Sequence, residues 1–249
     1  MIGVYDSGVG GLSVLRHVRR LLPDADLVYL ADQAHMPYGV RSFDEVRRLA
    51  EAAVRTLVAR GAGTVVVACN TASAAALQHL RSVFAVPIVG MEPAVKPAAA
   101  ATRSGKVVVL ATPTTFQGAV FDDLVGRFAS GIDVIAYPCP GWAAAVEESW
   151  PAGAEAAIAQ HLAPVIARGA DTIVLACTHY SFLDEAIKSA VGPGVSLIDP
   201  AEAVARQVVR VAAPGGGGGT TNYLTSGDPK RFSRQIERLL GERVEAEQV

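Results

Sequence analysis

Short apolar runs rich in β-branched residues alternate along the chain with longer segments rich in alanine and arginine. Strands that are apolar at every position are typical of parallel sheets covered by helices on both faces. The predicted strands span residues 2–5, 27–31, 64–68, 87–89, 107–111, 134–136, 172–175 and 196–198. The predicted helices span residues 11–22, 42–60, 72–84, 115–128, 154–168, 182–191, 201–211 and 229–240. This alternation predicts an α/β fold.

An internal repeat predicts how the chain is divided. Residues 59–71 read ARGAGTVVVACNT and residues 167–179 read ARGADTIVLACTH. Because the copies lie in the two halves of the chain, we expect two pseudosymmetric domains, each a mainly parallel sheet flanked by helices, with the active site between them. A further strand and helix near the C-terminus are assigned back to the first domain. The predicted first domain is therefore discontinuous, with residues 1–93 and 206–249, and the second domain has residues 94–205.

Charge and composition narrow the class of protein. The 249 residues carry a net charge of −2, which gives no electrostatic case for a nucleic-acid or membrane partner. The apolar runs are too short to span a bilayer, and the first residues lack a signal-peptide pattern. Three cysteines are too few for a disulfide framework. We therefore expect a soluble cytoplasmic protein with reduced thiols.

The repeated cysteines are the strongest chemical signal. Cys69 and Cys177 each follow an apolar strand and precede a predicted helix, whose N-terminus favours a thiolate. Each thiol taken alone is equally well a small buried hydrophobe. Their equivalent places in a repeat favour function, because inverting an α-carbon needs one proton-transfer group on each face. The sequence has neither a P-loop nor a GxGxxG motif after a strand, so it does not indicate a nucleotide cofactor. No cofactor is expected.

Polar residues beside the strand ends are candidates for substrate contact. Asp6 and Ser7 open a glycine-rich turn that could bind a carboxylate or an ammonium group, although Asp6 could instead cap the next helix. His179 lies two residues after a thiol and could pair with it. Tyr38 and Gly39 form a turn that could present backbone N–H groups and a phenol to a carboxylate, although an ordinary turn is equally compatible with that sequence.

Seven motifs spread over most of the chain resemble the glutamate racemase family of the aspartate/glutamate racemase superfamily. They are IGVYDSGVGG at 2–11, PYG at 37–39, CNTAS at 69–73, CPGWAAAVE at 139–147, CTHY at 177–180, ID at 198–199 and TSGDP at 225–229. The resemblance implies interconversion of L- and D-glutamate for peptidoglycan, without pyridoxal phosphate or a metal ion. It also implies that Cys69 acts on D-glutamate and Cys177 on L-glutamate.

The same resemblance implies further site residues. Those in contact with substrate would be Asp6, Ser7, Tyr38, Gly39, Asn70, Thr71, Thr178 and His179. Asp6, His179 and Glu147 would assist the thiols as catalytic groups, and Asp32 is a further candidate. From its sequence context alone, Glu147 is equally well a surface residue.

Three alternatives stay open at this point. A relative in the same superfamily could act on aspartate, which product assays with both amino acids would decide. Cys69, Cys177 and His179 could instead ligate zinc, which loss of activity with a chelator and its return with zinc would favour. The fold could also serve a non-enzymatic binding role, such as regulation of a topoisomerase. The oligomeric state is a separate question, and both a monomer and a homodimer stay open.

Overall fold

The computed structural model describes residues 1–117, 119–150, 154–213 and 217–249. The chain forms two compact units. Unit 1 consists of Met1–Met91 and Ala201–Val249, and unit 2 consists of Glu92–Pro200.

The strands and helices alternate along most of the chain. The strands are β1 (Ile2–Asp6), β2 (Leu27–Ala31), β3 (Thr64–Val67), β4 (Ile88–Gly90), β5 (Lys106–Ala111), β6 (Asp133–Pro138), β7 (Thr172–Leu175), β8 (Ser196–Ile198), β9 (Thr221–Thr225) and β10 (Glu247–Gln248). The helices are α1 (Leu12–Leu21), α2 (Phe43–Ala59), α3 (Asn70–Val83), α4 (Val95–Ala101), α5 (Ala119–Phe128), α6 (Trp142–Glu148), α7 (Ala154–Ala167), α8 (Asp184–Val191), α9 (Ala201–Val211) and α10 (Pro229–Leu240).

Unit 1 is built on a parallel sheet with the strand order β10-β9-β2-β1-β3-β4. Every residue of β1, β2 and β3 is buried, as expected for central strands with helices on both sides. Helices α2 and α3 pack against each other, and α1 packs against α9 and α10. The predicted α/β architecture with parallel sheets is confirmed.

Unit 2 repeats the central topology of unit 1. Its parallel sheet has the order β6-β5-β7-β8, which matches the order β2-β1-β3-β4 of unit 1. The backbone N–H of Ala68 donates to the carbonyl of Tyr5 at 2.7 Å, and that of Ala176 donates to Leu110 at 2.8 Å. Tyr5 and Leu110 therefore occupy equivalent positions, and the residues that follow the two alanines, Cys69 and Cys177, are equivalent as well.

Several short elements differ from the sequence prediction. Helices α4 and α6 have seven residues each and were not predicted, and β10 has only two. The predicted helix at 182–191 is present as α8 from Asp184 onward, but a 3₁₀ segment that was not predicted, Thr178–Leu183, precedes it. Cys177 therefore precedes a 3₁₀ turn, so the α-helix N-terminus that was predicted to favour its thiolate is present only at Cys69. Within the described residues, no helix combines the length and apolarity that crossing a bilayer requires.

Candidate active site

Cys69 lies at the N-cap of α3, two residues beyond the end of β3. Its side chain is 6% exposed, and its Sγ accepts the N–H of Ala72 at 3.5 Å. The Ser7 hydroxyl lies 3.7 Å from the same sulfur. The helix N-terminus and these donors favour negative charge on the sulfur, so this environment suits a thiolate base.

The turn after β1 holds a buried carboxylate next to that thiol. Asp6 is fully buried, and its Oδ1 accepts the N–H of Gly8 at 2.7 Å and the hydroxyl of Ser7 at 3.4 Å. Ser7 thus lies between the Asp6 carboxylate and the Cys69 sulfur. The arrangement can orient the Ser7 hydroxyl, and it can stabilise a proton on either Asp6 or the Cys69 sulfur.

A second buried carboxylate holds the Tyr38 turn. The Tyr38 phenol donates to Asp32 Oδ2 at 2.6 Å and accepts from the Tyr5 phenol at 2.6 Å. The other Asp32 oxygen accepts from Ser226 at 2.6 Å and lies 2.8 Å from the His35 ring. Because the Tyr38 proton is donated to Asp32, the turn is left with backbone groups rather than a phenol proton for a substrate carboxylate. Tyr5 and Ser226 were not predicted as site residues.

Asn70 is a buried amide whose polar atoms have no protein partner. The residue is 4% exposed, and neither Nδ2 nor Oδ1 makes a hydrogen bond. Leaving such atoms unsatisfied costs about 1–3 kcal/mol each. A bound ligand with both donor and acceptor groups, as an amino acid has, would remove that cost. Thr71, the next residue, is buried too.

In unit 2, Cys177, His179 and Glu147 form a line of hydrogen-bonding groups. The Cys177 Sγ lies 3.7 Å from Nδ1 of His179, and Nε2 of His179 lies 2.9 Å from Oε1 of Glu147. All three side chains are buried. Burial opposes the charged imidazolium, but the interactions with Cys177 and Glu147 outweigh it and raise the pKa of His179 well above its ordinary value. A protonated His179 favours a thiolate at Cys177.

The turn after β5 holds buried threonines beside the same strand end. The N–H of Asp32 donates to the carbonyl of Asp6, and the N–H of Cys139 donates to that of Ala111, both at 2.9 Å. Ala111 is thus equivalent to Asp6, and Thr112 to Ser7. The hydroxyls of Thr112 and Thr115 lie 3.0 Å apart.

Thr178, which directly follows Cys177, is buried as well. The first strand with its turn, IGVYDSGVGG, weakly resembles VVVLATPTTFQG at 107–118 in sequence, and this likeness could have identified the threonine turn. The Thr112 hydroxyl takes the place that Ser7 holds in unit 1, and Ala111 has no carboxylate in the place of Asp6.

Cys139 differs from the other two cysteines. It is 1% exposed, and its thiol donates to the carbonyl of Tyr137 at 3.6 Å. Burial, with the neighbouring Cys177 charge, raises the pKa of this thiol. None of the three cysteines forms a disulfide. Among the residues that the structure describes, no group of three or more His, Cys, Asp or Glu side chains could hold a metal ion.

Comparison with known proteins identifies the family. Residues 10–208 match the Asp/Glu/Hydantoin racemase family. A glutamate racemase from Roseiflexus sp. is 49% identical over 248 residues, covering 96% of this chain and 91% of that protein. A glutamate racemase from Ectopseudomonas mendocina is 48% identical over 252 residues, covering 98% of this chain and 96% of that protein.

Solved structures agree with this result. A glutamate racemase isoform from Bacillus anthracis superposes with a TM-score of 0.90 at 32% identity, covering 100% of this chain and 97% of that one. The Escherichia coli glutamate racemase, in complex with L-glutamate and the activator UDP-MurNAc-Ala, gives a TM-score of 0.89 at 31% identity over 99% of this chain and 96% of that one. The chain therefore belongs to the Asp/Glu/Hydantoin racemase family.

Proposed function

We propose that this chain is a glutamate racemase that interconverts L- and D-glutamate with Cys69 and Cys177 as its two proton-transfer groups. One observation carries the proposal: two buried cysteines, neither of them in a disulfide, occupy the same position of a duplicated strand arrangement. A family of racemases and a pair of equivalent thiols together fit a two-base reaction, in which neither thiol has to reach both faces of the α-carbon.

In the direction from L- to D-glutamate, the Cys177 thiolate removes the α-proton and becomes a thiol. The Cys69 thiol then donates its proton to the opposite face of the carbanionic carbon and becomes a thiolate. One C–H bond breaks and one forms, and the two sulfurs exchange protonation states. The enzyme is then ready for the reverse reaction, and no cofactor enters this proton balance.

The surroundings of each thiol support these roles. Protonated His179, held by Glu147, stabilises the Cys177 thiolate. The Ala72 N–H and the Ser7 hydroxyl, which is oriented by Asp6, do the same for Cys69. We assign substrate contact to these flanking groups and to the polar residues Tyr38, Gly39, Asn70, Thr71 and Thr178. Asp32 acts on the Tyr38 turn.

Glutamate is the preferred substrate because the relatives at 49% and 48% identity are glutamate racemases. The aspartate racemase of Picrophilus torridus is only 17% identical and supports the fold alone. D-glutamate would be supplied for peptidoglycan. Cytoplasmic placement fits a mechanism that needs reduced thiols. Homodimer formation stays a prediction, which sedimentation velocity tests.

The test is racemisation of L-glutamate in deuterated water by wild type, Cys69→Ser and Cys177→Ser. Wild-type product should carry solvent deuterium at the α-carbon. Each variant should lose about 100-fold or more in rate, because a serine hydroxyl is a far weaker base. Cys139→Ser is the matched control and should keep the wild-type rate.

Near-normal racemisation by either of the first two variants would exclude that cysteine as a base. Turnover of L-aspartate without L-glutamate would overturn the substrate assignment. If Cys139→Ser were the only variant to lose activity, Cys139 would be the reacting thiol and the assignment to Cys69 and Cys177 would be wrong.

A further inference from the structure

We propose that Tyr5 is a positioning residue for substrate binding, because its phenol locks Tyr38 and with it the Tyr38–Gly39 turn. The inference rests on the proposed function, in which that turn contacts the substrate. Tyr5 itself is fully buried inside unit 1 and is not expected to touch substrate. It acts through Tyr38.

The hydrogen bonds run in one direction. An ionised Asp32 carboxylate only accepts, so the Tyr38 phenol donates its proton to Asp32 and can only accept from Tyr5. Both bonds are 2.6 Å long, and Tyr38 is 2% exposed. Tyr5 is thus the donor that completes the hydrogen bonding of the Tyr38 oxygen. Removing that donor leaves the Tyr38 phenol with its hydrogen bond to Asp32 alone.

The duplicated topology supplies an internal comparison. Leu110 holds the position in β5 that Tyr5 holds in β1. The arrangement of strands therefore forms without a hydroxyl at this place. Burying a phenol is unfavourable unless its polar end is paired. The Tyr5 hydroxyl, absent from the equivalent position, is paired with Tyr38, which lies in the turn.

Both phenols stay protonated through the pH range of the proposed reaction. Burial raises the pKa of Tyr5 well above its ordinary value, and the neighbouring charges of Tyr38 and Cys69 act in the same direction. Burial and the charge of Asp32 likewise raise the pKa of Tyr38. The link between the two phenols is therefore kept whether Cys69 is a thiol or a thiolate.

The experiment compares Tyr5→Phe with wild type in both directions of glutamate racemisation. The net value of one neutral hydrogen bond corresponds to about a fivefold change in an equilibrium constant. We expect KM to rise about fivefold for both enantiomers, with kcat changed less than about twofold, and with the same ratio from pH 7 to pH 9.

Tyr223→Phe is the matched control. Tyr223 is also buried in the sheet of unit 1, and its phenol donates to Glu242 at 2.8 Å. This variant loses a tyrosine hydroxyl of the same sheet that does not bond to the Tyr38 turn, so KM should stay unchanged while Tm falls. Tyr38→Phe tests the same link from its other side and should raise KM at least as much. Adding Tyr5→Phe to Tyr38→Phe should then change KM no further.

A KM within about twofold of wild type in Tyr5→Phe, or an equal rise in Tyr223→Phe, overturns the inference. Additive effects of Tyr5→Phe and Tyr38→Phe overturn it too. Failure of the proposed function is distinguishable, since it would appear as absent glutamate turnover in wild type or as full activity in Cys69→Ser.

Discussion

The polar groups around the two thiols differ in kind, although the strands that carry the thiols are equivalent. Cys69 has hydroxyl and backbone N–H donors with a carboxylate behind them. Cys177 has an imidazole whose far nitrogen meets the buried Glu147 carboxylate. The charge of His179 depends on that carboxylate, so Glu147 affects the chemistry of Cys177 through His179.

Glu147→Gln tests this dependence. The variant removes the negative charge that helps to hold the His179 pKa above its ordinary value, so the pKa of His179 should fall. The decline of kcat/KM at high pH, where His179 loses its proton, should move to lower pH. At pH 8.5 we expect a loss of roughly 10- to 100-fold, which is the usual value of a hydrogen bond to a charged group.

Glu148→Gln is the control, because Glu148 is the exposed neighbour on the same helix. Its profile of kcat/KM against pH should match wild type. An unshifted high-pH limb in Glu147→Gln would mean that the Glu147 charge does not set the protonation of His179.

Individual site residues could be predicted where a local motif surrounds them. Cys69 and Cys177 were predicted as site residues from the repeat. Asp6, Ser7 and His179 were predicted from their places beside strand ends. Ser226 could not be found this way, because it reaches Asp32 across 194 positions of the chain. Tyr5 was predicted only as a strand residue. Its hydroxyl acquires a partner through a turn 33 residues away.

Among the elements, helix α1 is in close contact with the candidate site where the helix begins. No sequence pattern indicated this contact. Gly11 is its N-cap residue. A Cβ at this position would lie 2.7 Å from the Asp6 Cβ and 2.9 Å from the Tyr29 phenol oxygen. The absence of a side chain at Gly11 therefore lets the start of α1 pack directly on the strand end that carries Asp6.

Gly11→Ala should destabilise the protein by about 1–3 kcal/mol, because the added methyl group overpacks a closed contact. The measurement is urea denaturation. Gly126→Ala is the matched control, since Gly126 lies in α5 and a Cβ added there would meet nothing within 4 Å. That variant should gain about 0.5–1 kcal/mol from helix propensity. Equal effects of the two substitutions would contradict the packing argument.

Long helices were predicted well and short helices poorly. The predicted bounds of α9 and α10 agree with the structure, because each has an amphipathic pattern over several turns. Helix α6 reads WAAAVEE, which is too short to establish a period. Only the last two residues of the 3₁₀ segment after Cys177 were assigned to a helix, because so short a segment has no period by which a sequence pattern predicts it.

At the scale of the whole molecule, the two units differ in size and in how their sheets are covered. Among the described residues, the sheet of unit 1 has six strands and that of unit 2 has four. The outer strands of unit 2, β6 and β8, are largely half-buried or exposed. Less apolar surface leaves water when such a sheet forms, so unit 2 should be the less stable unit.

The two tryptophans, Trp142 and Trp150, both belong to unit 2 and report on it selectively. In urea, we expect the tryptophan fluorescence transition to have a lower midpoint than the transition in far-ultraviolet circular dichroism. A variant with Phe84→Trp, Trp142→Phe and Trp150→Phe moves the reporter to unit 1 and should reverse the order. Coincident transitions in both proteins would mean that the units unfold together.

The unequal surroundings of Cys69 and Cys177 have a thermodynamic limit. L- and D-glutamate have equal free energies, so a racemase must have the same kcat/KM in both directions, however different its two bases are. Under the two-thiol mechanism, a better base on one side can change the ratio of the two kcat values only together with an equal change in the ratio of the two KM values. The unshared His179–Glu147 pair therefore affects the rate in both directions and how strongly each enantiomer saturates the enzyme, and never the direction in which the amino acid flows. Net production of D-glutamate depends entirely on the reaction that consumes it.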